Sequence, residues 1–135
     1  MVMYNQLPIY RDAYSLLLEI YQASSRFPRD FKYTLGQDMK RDSLALFRDL
    51  YGANVSAENR QKHLDSFLTA FELLKVELRL CVDLNVLPIK KLAQLSLIMD
   101  SIAKQASGWR RSACTADLHG RRSEGRRPSA VNAVP

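Results

Sequence analysis

His63 and His119 are the first residues to test for chemistry, because an imidazole can move protons or bind metal near neutral pH. Either task needs a partner at a suitable spacing. His63 falls near the start of a helical pattern and His119 in the C-terminal segment, so each reads as a surface histidine. Asp38, Asp42 and Asp49 alternate with Lys40, Arg41 and Arg48, the mixed-sign pattern of a solvated helix face. No Glu-x-x-His motif of the di-iron type occurs. "GQDMKRD" holds one glycine and "HGRRSEGRR" follows no strand, so neither is a phosphate loop. Cys81 and Cys114 are not spaced as a metal motif, and Cys81 lies on an apolar stripe, as a free core thiol would. The sequence therefore argues against an enzyme; no catalytic residue, metal ligand or cofactor is expected.

The cations carry more information. Lys75 and Arg79 stand four apart, Arg41 and Arg48 seven apart, and Lys90 and Lys91 open the last helical segment, so each pair shares or nearly shares a face. Arg26, Arg29 and Lys32 crowd the stretch "RFPRDFKY", with Phe27, Phe31 and Tyr33 interleaved, and Arg110 and Arg111 close the helical part of the chain. Cationic groups that meet phosphates beside aromatic rings suit single-stranded or structured nucleic acid. Phe27 and Phe31 also fit a plainer role, packing down onto the end of a helical core. The net charge of +6 is uneven: up to residue 109 there are 14 basic against 12 acidic residues, and beyond it six arginines against two acids.

Four periodic segments must position these residues. Tyr10, Ala13, Tyr14, Leu17, Ile20 and Tyr21 mark one side of a first helix that begins near Pro8 and ends at Pro28. Leu35, Met39, Leu46 and Leu50 mark a second, opened by a Thr34–Gln37 capping box and left through Gly52 and Asn54. Ser56 caps a third, striped by Leu64, Phe67, Phe71, Leu74, Leu78 and Cys81 as far as Asn85. Pro88 opens a fourth, striped by Leu92, Leu95, Met99, Ile102, Ala106 and Trp109. Four such helices hide their stripes only against one another, which gives an all-α, antiparallel up-down four-helix bundle over residues 1–112.

Leu16, Leu18, Phe47, Leu73, Leu80, Leu97 and Ile98 widen the stripes; they read either as a broad core or as subunit contacts. Residues 113–135 hold almost no large apolar residues and no sustained periodicity and are expected to form a basic, largely disordered tail. No apolar run approaches the roughly 20 residues that span a bilayer. A soluble, cytoplasmic protein with no membrane contact is expected.

"LPIY" at Leu7–Tyr10, "RFP" at Arg26–Pro28, "YTLG" at Tyr33–Gly36 and "GWRRS" at Gly108–Ser112 resemble, in order and spacing, the small four-helix-bundle proteins of bacterial ribosomal RNA intervening sequences. They look still more like the related accessory variability determinant proteins of diversity-generating retroelements, since "FRDLYGAN" stands where the wider group has a "SNIAEG"-like segment. The resemblance covers residues 7–112. It implies a noncatalytic accessory subunit, a barrel-like homopentamer that binds a reverse transcriptase and RNA or DNA in support of mutagenic retrohoming. A bundle of the intervening-sequence type, with no polymerase partner, is the alternative. On this reading Arg26, Arg29, Lys32, Arg41, Arg48, Lys75, Arg79, Lys90, Lys91, Arg110 and Arg111 are the candidate nucleic-acid contacts, and Gly36 keeps a close helix approach open.

Overall fold

Apolar residues at three- and four-residue steps require helices, and helices are what form. The computed structural model describes residues 7–122, with side chains as far as residue 115. It contains α1 (Pro8–Ser24), the single turn α2 (Arg29–Lys32), α3 (Leu35–Val55), α4 (Arg60–Asp83) and α5 (Ile89–Arg122). No strand occurs among the described residues. The four long helices run up, down, up and down; each packs on its neighbours in sequence and α5 closes against α1. The α1–α3 corner and the α4–α5 turn lie at one end, called here the turn end. The α3–α4 connection and Trp109 lie at the other, the far end. α5 reaches Arg122, past residue 112, and residues 123–135 lie outside the described part.

All six stripe residues of α4 are at most 1% exposed, and Leu95, Met99, Ile102, Ala106 and Trp109 of α5 are buried with them. Fully burying each large apolar side chain contributes about 1.5–3 kcal/mol. Phe67 and Phe71 stack in this core with centroids 5.7 Å apart. Cys81 is a free, buried thiol whose Sγ donates to Met39 Sδ at 3.3 Å, and burial pushes its pKa up to about 11. In α1 the stripe is rotated from the expected one: Leu16 is buried, whereas Tyr14 is 60% exposed and Tyr21 stands partly in solvent. Tyr10, Ala13 and Ile20 of the expected stripe are buried together with Ile9 and Leu16, and Tyr14 and Tyr21 flank them.

Three local signals resolve differently from their sequence reading. Thr34 forms no capping box; α2 leads so directly into α3 that its hydroxyl donates to the Asp30 carbonyl at 2.8 Å. α3 does not leave at Gly52 or Asn54 but continues to Val55. A Cβ on Gly52 would stand 2.6 Å from the His63 ring, so this glycine admits the imidazole between α3 and α4. His63 is accordingly half-buried at a helix seam and not a free surface residue. The left-handed helix exit is at Asn85, φ 60°, where the amides of Asn85 and Val86 donate to the Val82 and Cys81 carbonyls, the paired closure of a Schellman turn. Ser56 does accept the Asn59 amide at 3.2 Å just before α4. Gly36 is packed at the corner, where a Cβ would lie 3.3 Å from the Phe31 carbonyl oxygen and 3.5 Å from Phe27.

Candidate nucleic-acid interface

Antiparallel packing brings the corner cations and the start of α5 to the same end of the bundle. Arg26 and Arg29 are exposed beside Pro28, and Lys90 is exposed on the first turn of α5. Phe27 is buried and Phe31 packs against the core, so those two rings serve the fold, whereas Tyr33 is 62% exposed with the Lys32 ammonium 5.9 Å above it. Lys91, on the next position of α5, turns to the Glu19 carboxylate of α1 and ties the two helices together.

Along the helix faces the cations are matched by acids. Arg41 reaches Asp38 at 3.3 Å and Asp42 at 3.6 Å, Lys75 reaches Glu72 at 3.0 Å, and Arg79 reaches Asp83 at 3.4 Å. Arg110, toward the far end, bonds Asp65 of α4, and this hydrogen bond raises its pKa. Arg48 and Arg111 are exposed, with no ion pair to another described residue. The eleven cations therefore form no single stripe. Arg26, Arg29, Lys32 and Lys90 gather at the turn end, joined by ion-paired Lys91; Arg41 and Arg79 stand within two turns of it; and Arg110 and Arg111 lie at the opposite end. Exposed ion pairs contribute about 0–1 kcal/mol each, so a phosphate can recruit Arg41, Lys75 or Arg79 at small cost.

Two charged residues that sequence reading passed over are buried. Arg60, 4% exposed, donates its Nε to the Ala53 carbonyl at 2.8 Å and lies 5.7 Å from the centre of the Trp109 ring. Burial pulls its pKa below the usual guanidinium value. Glu77, 8% exposed, faces α3. Its signal was present in the sequence: it stands three residues after Leu74 and four before Cys81, on the flank of the α4 stripe.

Among the exposed apolar residues, which include Ile89 and Leu97 on α5, two groups stand out. Tyr14, Leu18 and Tyr21 line the outside of α1 beside Leu44 and Tyr51 of α3, with the Lys40 ammonium 5.2 Å above the Tyr21 ring. On α4, Leu73, Val76, Leu80 and Leu84 form a separate exposed ridge. A shallow hollow beside it is lined by Glu72, Lys75, Val76, Arg79, Leu80 and Asp83. Among the described residues no group of three or more His, Cys, Asp or Glu is placed to hold a metal, and no helix is long and apolar enough to cross a membrane.

No curated protein and no solved structure matches the chain. A family model does: the one described as bAvd-like matches residues 1–113, which span α1 to the last buried residue of α5. On that match the chain belongs to the bAvd-like family, the accessory variability determinant proteins whose motifs it carries.

Proposed function

We propose that this accessory protein assembles as a homopentamer and binds the reverse transcriptase and nucleic acid of a diversity-generating retroelement, template RNA or its cDNA, in support of mutagenic retrohoming. The family match over residues 1–113 is the observation that carries this reading. Catalysis belongs on this view to the polymerase. The residues beyond the matched region add a basic segment that begins as the continuation of α5. The two apolar faces, on α1–α3 and on α4, differ in shape and composition. A contact between unlike faces is heterologous and closes into a ring when its rotation allows, which fits a cyclic pentamer better than a two-fold dimer. Light scattering should give about five times the 15.4 kDa chain mass; a monomer at micromolar concentration would count against the assembly.

Nucleic-acid affinity should come mainly from phosphate neutralisation, weak in sequence preference, with a log–log salt slope of about −0.9 per duplex phosphate contacted. Charge reversal at Arg26, Arg29 and Lys90 should weaken binding more than reversal at Arg41, Lys75 and Arg79, whose charges neighbouring acids already offset. Deleting residues 113–135 separates body from tail; binding lost on truncation but kept in the charge-reversed body would move the contact to the tail. A reverse-transcriptase gene beside this one, and co-purification of its product with the bundle, test the partner. Failure of these tests, with the bundle intact, would leave an interaction bundle of the intervening-sequence type.

A further inference from the structure

Glu77 poses a problem in elementary electrostatics. Its side chain points into the α3–α4 seam, and neither carboxyl oxygen is exposed or has a hydrogen-bond donor. An ionised carboxylate without donors or a counter-ion is among the most costly groups to bury. The groups facing it from α3 are Asp42, Asp38 and Arg41. Arg41 does not relieve it, because that guanidinium is 72% exposed and turned to Asp38 and Asp42. No charged group of α5, on the other flank of α4, acts on it among the described residues. The polar group that meets it across the seam is thus another acid, Asp42, and two carboxyl groups in contact can satisfy each other only if a proton lies between them.

We propose that Glu77 is held as a neutral acid that donates its proton to Asp42, and that this shared proton makes the packing of α3 on α4 sensitive to pH. Asp42, 20% exposed and paired with Arg41, is the partner placed to accept the hydrogen bond. Glu77, sealed from solvent, is the one placed to keep the proton. Burial first, and then the facing Asp42, push its pKa up to about 8 from an ordinary value of 4.5. The folded chain therefore holds a proton that the unfolded chain releases. Its stabilising effect is complete below about 4.5, is lost progressively as pH rises to about 8, and changes no further above that. The device needs neither the polymerase nor the ring, and it concerns the seam beneath the α4 ridge.

A carbon-detected NMR titration of the full chain from pH 4 to 10 reads the carboxyl groups one by one. The Glu77 carboxyl carbon should titrate near pH 8, and in Asp42→Asn its midpoint should fall by at least one pH unit, since the facing charge is gone and an amide donor replaces it. Glu77→Gln keeps a donor toward Asp42 and removes the titration. The melting temperature of this variant should therefore gain on that of the native chain between pH 5 and 8 and run parallel to it above pH 9. A Glu77 midpoint in the ordinary carboxylate range, or one unmoved in Asp42→Asn, overturns the proposal. A melting difference that does not change with pH does the same. Should Glu77→Gln fail to fold, the titrations of the native chain and of Asp42→Asn decide alone.

Discussion

At the turn end of the bundle Arg26, Arg29 and Lys90 stand in solvent, whereas at the far end Arg60 is 4% exposed against the Trp109 ring. The turn end is closed largely by backbone: the Asn85 exit, the Pro28 carbonyl accepting two amides, and the close approach at Gly36. The far end is closed by side chains, with His63 lodged over Gly52 and Arg60 satisfying the Ala53 carbonyl near the C-terminus of α3, where a cation also suits the helix dipole. The same residue type thus locks helices together at one end and remains available at the other. A connection made from main chain frees its side chains for a ligand; one made from side chains commits them.

The sharpest way to break this contrast is to remove the ring on which the far end rests. Trp109→Ala should cost about 3–5 kcal/mol in denaturant unfolding, because the residue is 1% exposed. A loss below about 1 kcal/mol would mean that the far end does not depend on it. Next comes a comparison between arginines. Arg60→Ala should cost about 1.5–3 kcal/mol through its charged hydrogen bond, whereas Arg26→Ala and Arg29→Ala should each change stability by less than about 0.5 kcal/mol. Equal costs for all three would abolish the distinction between the ends. The smallest effect has the opposite sign. A methyl group on Gly108 would meet nothing within 4 Å, so Gly108→Ala should stabilise α5 by about 0.5–1 kcal/mol without disturbing Trp109 beside it.

The stripes of α4 and α5 were legible in the sequence because they are built from leucine, phenylalanine, isoleucine and methionine with few competing residues on other faces. α1 was read partly in phase: Tyr10, Ala13 and Ile20 are buried as expected, but Tyr14 and Tyr21 count as apolar in a periodic pattern while their hydroxyls favour the bundle rim, and Leu16 was set aside as surplus. Gly52 looked like a stop because its packing role depends on His63, eleven residues later and on another helix. For the candidate interface, the positions of the cations could be read, but their availability could not. Lys91–Glu19 and Arg110–Asp65 join residues far apart in the chain, and Glu77 meets Asp42 only after α3 and α4 have packed. Family motifs carried what periodicity could not, since the matched region coincides with the packed bundle.

α5 is 34 residues long, against 24 for α4, and near the far end Arg110 still reaches Asp65 of α4. Ala113 is the last buried residue of α5 among those described. The stretch 114–122 carries the helix roughly 14 Å further at about 1.5 Å per residue. Its root is set by Trp109 and Ala113, so the direction of this extension is fixed by the same side chains that close the far end of the bundle.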